Sequence, residues 1–272
     1  MNAATIALTP LDLCIGALLV VIAGLVSVSM GLKLERSLLL ASVRTVIQLL
    51  LVGYVLRWIF DLQHWAGVLG LTLFMLYVAG RAAVKRSGRR YRSSIMDAFL
   101  TLSIVGYITL FLVTAVIIGS EPWYAPRYAI PILGMILGNS LNGISLSLDT
   151  MLEYFDERSD LVDADLALGA TRWEAAQPVL QESIRKGMIP IINSMMVVGL
   201  VSLPGMMTGQ IIAGNDPLQA VQYQIIVMFM IAAATSLGCI GTAYLGYRRL
   251  FDECHRLRRE RITRIKSTGY TH

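Results

Sequence analysis

The chain has 272 residues, of which 56% are apolar and only 15% are charged, and its formal net charge is +5. Because soluble domains carry about 25% charged residues, this composition excludes a cytosolic enzyme and a disordered chain. The cysteines Cys14, Cys239 and Cys254 have neither the pairing of a disulfide scaffold nor the spacing of a metal site. The composition therefore predicts an integral membrane protein.

Seven apolar windows approach the roughly 20 residues that a helix needs to cross a bilayer. They lie at residues 11–32, 37–60, 65–84, 98–118, 129–148, 188–212 and 220–247. With the N-terminus outside, twenty of the 23 Lys and Arg residues fall on the cytoplasmic side, as the positive-inside rule requires. We therefore predict an all-α integral membrane fold of seven transmembrane helices, with the N-terminus out and the C-terminus in.

The chain divides into a transmembrane domain, residues 1–248, and a basic cytoplasmic tail, residues 249–272. Basic side chains close to a membrane are attracted to anionic lipid headgroups. We therefore expect membrane lipid to be the main contact of the tail, and a soluble partner subunit is the alternative.

Arg44 lies inside the second window, where an unpaired guanidinium costs roughly 2.5 to 3.5 kcal/mol. One expectation is an ion pair with Asp97, at the start of the fourth window, and Glu35 is a second candidate partner. The other expectation is that the Arg44 side chain extends to the membrane surface and forms no pair.

Polar and small residues are concentrated in the fifth and sixth windows. Asn139, Asn142 and Ser145 follow one another at steps close to the helical period, and Pro204-Gly205 predicts a kink or a break in mid-membrane. The predicted translocation path comprises Asn139, Asn142, Asn193, Pro204, Gly205, Met206, Met207, Thr208 and Gln210. Hydrogen bonding between helices and simple packing are the alternative roles of these residues. The thioethers of Met206 and Met207 suit soft metals such as Cu(I), and methionine within a membrane span is usually a packing residue, so no metal ligand is assigned.

Residues 149–187, between the fifth and sixth windows, contain nine of the 18 acidic residues and form the predicted cytoplasmic segment. Asp160 as an N-cap and Gly169 as a C-cap predict a short helix. Thr171 and Glu174 have the spacing of a capping box, which predicts the start of a second helix that enters the sixth window.

Within this segment, the run Asp163-Ala164-Asp165 followed by Gly169 resembles the EAA loop of ABC transporter permeases, whose short coupling helix docks into a cleft of the ATPase. Three further runs resemble signatures of the FetB-type iron-export permeases and their plant relatives linked to aluminium tolerance. They are ASVRTVIQLLLVGYVL at 41–56, PILGMILGNS at 131–140 and VVGLVSLPGMMTGQIIAGNDPLQAVQYQIIVMFM at 197–230. The resemblance implies that the ATPase-coupling residues are Asp163, Ala164, Leu168, Gly169, Ala170 and Thr171.

The resemblance also implies a function, namely the permease subunit of an ABC exporter that moves iron across the bacterial inner membrane. The chain contains no GxxxxGK[ST] loop. We therefore expect no enzymatic activity or cofactor in this chain, ATP-Mg in a separate P-loop ATPase subunit, a homodimer of permeases, and no nucleic-acid partner. The alternatives are a secondary transporter that needs no ATPase and a membrane scaffold that recruits a soluble partner.

Overall fold

The structure, a computed structural model, describes residues 9–62 and 64–265. Its helices are α1 (Pro10–Ser29), α2 (Glu35–Leu62), α3 (Trp65–Arg86), α4 (Ser94–Phe111), α5 (Pro126–Glu157), α6 (Ser159–Ala167), α7 (Arg172–Val197), α8 (Gly205–Ile212) and α9 (Pro217–Leu250). A π-helical turn, Leu112–Ile117, extends α4, and β1 (Arg89–Arg90) pairs with β2 (Thr263–Arg264). The outer ends of the two predicted domains, residues 1–8 and 266–272, lie outside the described residues.

Six of the described helices are long and apolar enough to cross a membrane: α1, α2, α3, α4 with its π-helical turn, α5 and α9. They correspond to the first five windows and the seventh. The sixth window, 188–212, is split between α7 and α8 by the non-helical residues 198–204. The predicted interruption is therefore present, and it divides the window into two separate helices.

The core of the bundle is built around α5, which packs against α3, α4, α7 and α9. Ile136, Leu148 and Phe155 of α5 are fully buried at these contacts. By contrast, α1 and α2 pack chiefly on each other and expose almost all of their apolar side chains. Such exposure is expected of helices whose surroundings are lipid, because hydrocarbon solvates apolar side chains as well as a protein core does.

Two glycines set the crossing of α5 and α7. A Cβ atom added to Gly187 would lie 2.7 Å from the carbonyl oxygen of Gly143, and one added to Gly143 would lie 2.9 Å from the carbonyl oxygen of Gly187. The two backbones are therefore in direct contact, as is common where small residues line helix interfaces in membranes. This contact holds α7 beside the polar face of α5.

The predicted cytoplasmic segment consists largely of the ends of long helices. Since α5 continues to Glu157 and α7 begins at Arg172, only residues 158–171 lie outside these two helices. The assignment of Asp160 as the N-cap of the short helix is wrong, because α6 begins at Ser159 and Asp160 lies in its first turn. The C-terminal prediction is confirmed, since Gly169 has a φ of +97° just after the end of α6.

Residues 251–265, after α9, fold back onto the bundle at the end where α6 lies, which we call the α6 end. The guanidinium groups of Arg259 and Arg264 lie 3.3 and 3.0 Å from the Asp156 carboxylate of α5. Arg89 of β1 pairs with the same carboxylate at 3.3 Å. Arg259 and Arg264 therefore pair with a carboxylate within the chain, a contact that the expectation of lipid contact for the tail did not include.

Candidate functional site

The predicted coupling segment forms a short helix and a tight turn at the α6 end. Val162 is buried and attaches α6 to the bundle. The turn is closed by two backbone hydrogen bonds, from Gly169 N–H to the Leu166 carbonyl at 3.1 Å and from Ala170 N–H to the Asp165 carbonyl at 3.1 Å. Gly169 permits this closure because its positive φ is unfavourable for residues that carry a Cβ.

The predicted capping box at the start of α7 is present. The Thr171 hydroxyl accepts a hydrogen bond from the Glu174 N–H at 3.3 Å, and the Thr171 N–H donates to the Glu174 carboxylate at 2.8 Å. Hydrogen bonds from the backbone N–H and the hydroxyl of Thr171 hold the pKa of Glu174 below its ordinary value. The capping box is therefore intact at any pH above the ordinary pKa of glutamate. It is lost only as the pH falls through the lowered pKa of Glu174.

The outer surface of the segment combines apolar and acidic groups. Leu168 is 87% exposed at the tip of the turn, and Leu161 and Trp173 are about half exposed beside it. Asp160, Asp163 and Asp165 are also exposed. Of the predicted coupling residues, Asp163, Ala164, Leu168, Gly169 and Thr171 are exposed and Ala170 is partly buried. An exposed leucine on a rigid turn offers a protein partner an apolar contact.

Part of the predicted path comes together between α5 and α7. Asn139 and Asn142 line a small cavity of about 50 Å³ with Ser194 of α7 and Thr235 of α9. Arg86, at the end of α3, donates a hydrogen bond to the Asn142 side-chain oxygen. Sequence reasoning missed Thr235 and Arg86, because both belong to helices distant from α5 in the sequence.

Two polar residues do not join this cavity. Asn193 is exposed on α7 and does not line it, and Ser145 of α5 is buried within the bundle. Three residues rotate the helix by only about 300°, which is less than a full turn. Two such steps separate Ser145 from Asn139, so Ser145 points to a different side of α5.

The interruption between α7 and α8 is a compact loop with an apolar tip. Gly199 has a φ of +83°, and its N–H donates to the Ser202 carbonyl at 2.9 Å. Leu200 and Val201, at the tip, are 88% and 84% exposed. Pro204 is the N-cap of α8, so the sequence signal marks the end of the break, seven residues after the last residue of α7.

Met207, from the second half of the predicted path, lines a larger cavity between α7, α8 and α9. The cavity has a volume of about 420 Å³, and its lining includes Met195, Met207, Met228 and Gln224. Gln224 is 6% exposed, and its side-chain oxygen has no hydrogen-bond partner among the described residues. The cavity is therefore mostly apolar with one unsatisfied acceptor, a feature that sequence reasoning missed.

The other predicted path residues of α8 lie around this cavity without lining it. Met206 packs on the core, and the Thr208 hydroxyl donates to the Pro204 carbonyl at 3.1 Å. Gln210 is partly buried and Gly205 is exposed. Among residues 9–62 and 64–265, no group of three or more His, Cys, Asp or Glu side chains is placed to hold a metal ion.

The predicted pair between Arg44 and Asp97 does not form. Asp97 is 1% exposed and lies 3.6 Å from the guanidinium of Arg249, while the Tyr91 hydroxyl donates to its carboxylate at 2.9 Å. Arg44 is exposed on α2, and no described carboxylate lies within 4.0 Å of it. Glu35, the second candidate, instead accepts a hydrogen bond from Ser27 at 3.2 Å. Arg249 is the partner of Asp97 because the end of α9 lies beside the start of α4.

The chain matches, over residues 10–251, the model of a family described as "Uncharacterised protein family (UPF0014)". The chain belongs to the UPF0014 family. It is 40% identical to the UPF0014 membrane protein slr1647 of Synechocystis sp., over 84% of this chain and 88% of that protein. It is 36% identical to the probable iron export permease protein FetB of Escherichia coli, over 90% and 93% of the two chains. It is 34% identical to the protein ALUMINUM SENSITIVE 3 of Arabidopsis thaliana, over 88% and 86%. No solved structure matches the chain.

These relatives confirm the resemblance on which the sequence reasoning relied. The family match covers all of the helices from α1 to α9, so the coupling segment and both cavities lie within it. Together with the six long apolar helices, the family membership shows that this UPF0014 chain is a multi-pass membrane protein.

Proposed function

We propose that the chain is the permease subunit of an ABC exporter that moves iron, as a metal ion, out across the bacterial inner membrane. A separate P-loop ATPase subunit supplies the energy from ATP-Mg, and two copies of the chain enclose the path. The family membership supports a transport role, since the Escherichia coli relative is named as a probable iron export permease. The observation that carries the proposal is the interrupted helix between α7 and α8, beside a polar face of α5.

The interruption supports both a path and a second copy. Irregular backbone at membrane depth is tolerated only where protein covers it or where it lines a water-filled cavity. Leu200 and Val201 at the tip of the break are almost fully exposed in the single chain. A second copy that packs against the loop 198–204 protects this backbone from lipid, and broken helices of this kind often form transport sites.

The coupling segment connects mechanically to the break. Because α7 begins directly after the Thr171 cap and continues for 26 residues to Val197, it is about 39 Å long at about 1.5 Å per residue. Although Pro178 and Pro190 lie inside it, α7 is one continuous helix, so a displacement of the turn at Leu168 by a soluble subunit reaches the loop 198–204. The path residues next to that loop then change their access from one side to the other.

The orientation follows from charge. The α6 end carries basic connections and the basic stretch after α9, and we place it in the cytoplasm under the positive-inside rule. The α7–α8 pair makes the seventh crossing in this arrangement, which leaves the N-terminus outside.

The test is transport by the purified chain in proteoliposomes that contain iron, with and without a candidate P-loop ATPase. We expect vanadate-sensitive, ATP-dependent movement of iron that Leu168→Asp abolishes. The matched control is Leu218→Asp, because Leu218 is a similarly exposed leucine at the opposite end, in the first turn of α9. An acidic residue is favourable in a first helical turn, so we expect this variant to transport normally.

Other outcomes refute the proposal. Iron movement that needs an ion gradient and no ATPase identifies a secondary transporter. A chain that binds a soluble partner through Leu168 and moves no metal is a scaffold. Equal transport by Leu168→Asp and wild type refutes the coupling role of the turn.

A further inference from the structure

The β1–β2 ribbon at the α6 end has two faces with different electrostatics. Arg89 lies opposite Arg264 in the ribbon, and Arg90 lies opposite Thr263. Because neighbouring residues of a strand point to opposite faces, the first pair faces the acidic end of α5 and the second pair faces away. Arg89 and Arg264 both form ion pairs with Asp156.

The face that points away opens on a pocket of about 520 Å³, which we call the arginine pocket. Its lining includes Arg90, Arg92 and Arg261, together with the side chains of Tyr91, Ser94, Ile95, Glu260 and Thr263. None of these three arginines forms an ion pair with a described carboxylate, in contrast to Arg89, Arg259 and Arg264. The one carboxylate in the lining, that of Glu260, lies 3.4 Å from the guanidinium of Arg258. The pocket therefore carries an excess of positive charge.

The start of α4 forms one wall of the arginine pocket. Ser94 and Ile95, its first two residues, line the pocket. The N–H of Ser94 donates to the Tyr91 carbonyl at 3.1 Å, whereas the side chain of Ser93, the N-cap, makes no capping hydrogen bond. The buried carboxylate of Asp97, in the same first turn, lies 3.6 Å from the guanidinium of Arg249. The N-terminus of a helix favours anions because its free N–H groups and its dipole point outwards.

The surroundings of the arginine pocket favour a lipid over a soluble anion. Met96, Leu100, Ile104 and Ile108 are exposed along α4, and their four-residue spacing places them in one stripe that descends from the pocket. Since α4 is a membrane-spanning candidate, this stripe lies against acyl chains. A phospholipid with its phosphate in the pocket extends its chains along the stripe.

We propose that the arginine pocket binds the phosphate group of an anionic phospholipid. The guanidinium groups of Arg90, Arg92 and Arg261 donate hydrogen bonds to the phosphate oxygens. The planar set of N–H donors in a guanidinium matches the arrangement of oxygens in a phosphate. Because Arg261 follows α9 and Arg90 lies in the α3–α4 connection, the bound lipid ties these two segments together. This site is independent of the proposed transport function, and its test needs no ATPase and no metal.

The experiment is a titration of the purified, detergent-solubilised chain with phosphatidylglycerol and with phosphatidylcholine of the same acyl chains, followed by native mass spectrometry. We expect retained binding of phosphatidylglycerol by the wild type. Each basic side chain near an anionic headgroup contributes a factor of about five. The triple variant Arg90→Gln, Arg92→Gln, Arg261→Gln is therefore expected to bind about a hundredfold more weakly.

Two further variants separate the pocket from net charge and from misfolding. The variant Lys33→Gln, Arg36→Gln, Lys186→Gln removes three exposed charges that do not line the pocket, and we expect it to bind like the wild type. Replacing all three pocket arginines by lysine keeps the charge and is expected to retain binding within about tenfold of the wild type.

Several results would overturn the proposal. One is equal binding by the glutamine variant and the charge-matched control, and another is equal binding of phosphatidylcholine and phosphatidylglycerol. If inorganic phosphate alone binds the wild type, displaces the lipid and depends on the same arginines, the pocket is a site for a soluble phosphate compound and the lipid assignment is wrong. The proposal is also wrong if the arginine-to-lysine variant folds but no longer binds the lipid, because that variant keeps the charge of the pocket.

Discussion

Replacing Gly187 by alanine tests the direct backbone contact between α5 and α7. The new Cβ would lie 2.7 Å from the Gly143 carbonyl oxygen and 2.9 Å from the sulfur of Cys239. Overpacking of this kind costs about 1 to 3 kcal/mol. We expect the upper end of that range, because one neighbour is backbone and has no rotamer through which to move away. The better helix propensity of alanine returns about 1 kcal/mol, so the expected net loss is about 2 kcal/mol.

The assay is equilibrium unfolding in mixed detergent micelles, followed by circular dichroism. The matched control is Gly70→Ala in α3, where an added Cβ has no atom within 4 Å, and it is expected to gain up to about 1 kcal/mol. Adding Cys239→Ala to Gly187→Ala relieves the sulfur contact but not the carbonyl contact, so we expect only partial recovery. If the free energies of unfolding of Gly187→Ala and Gly70→Ala differ by less than about 0.5 kcal/mol, the inferred backbone contact is wrong.

Three other substitutions test local features of the α6 end. Thr171→Ala removes the side-chain cap of α7, and hydrogen–deuterium exchange is expected to be about fivefold faster in the first turn of that helix. Arg249→Gln leaves the buried carboxylate of Asp97 without a cation and lowers the free energy of unfolding by about 1 to 3 kcal/mol, whereas Arg44→Gln leaves it unchanged. Arg89→Gln removes three of the ion pairs between the ribbon and α5 and leaves those of Arg264; limited proteolysis after α9 is expected to be faster.

Thr171→Ser keeps the hydroxyl acceptor, so exchange as fast as in Thr171→Ala contradicts the capping role. A stability loss in Arg44→Gln equal to that of Arg249→Gln would restore Arg44 as the partner of Asp97. For the ribbon, Arg90→Gln is the comparison, because Arg90 forms no ion pair with a described carboxylate; equal proteolysis of the two variants refutes the role assigned to Arg89.

Features that depend on neighbouring residues were predictable from the sequence. The capping box needs only the three-residue spacing of Thr171 and Glu174, and the stop after α6 needs only a glycine that tolerates a positive φ. The break in the sixth window was also foreseen from Pro204-Gly205, since a proline removes a backbone donor. The position at which α7 ends was not foreseen, because Val197 carries no such signal.

Features that depend on elements far apart in the sequence were not predictable. The partner of Asp97 is Arg249, at the end of α9. The apolar windows do not indicate which helix ends lie beside one another in the bundle. The small cavity likewise joins Asn139 and Asn142 to Thr235 of α9. Sequence spacing placed the two asparagines near each other, but the packing of α7 and α9 brought Ser194 and Thr235 to the same cavity.

By itself, the amino-acid sequence determined that this protein lies in a membrane, because hydropathy is summed along a continuous stretch of chain. It also determined the turn that presents Leu168, since its capping groups lie within a few residues of one another. Only the tertiary structure decided that the stretch after α9 returns to α5 and that two glycines bring α5 and α7 into backbone contact. Ion pairs and close helix crossings require groups from distant elements to meet at specific distances, and the packing of the whole bundle sets those distances.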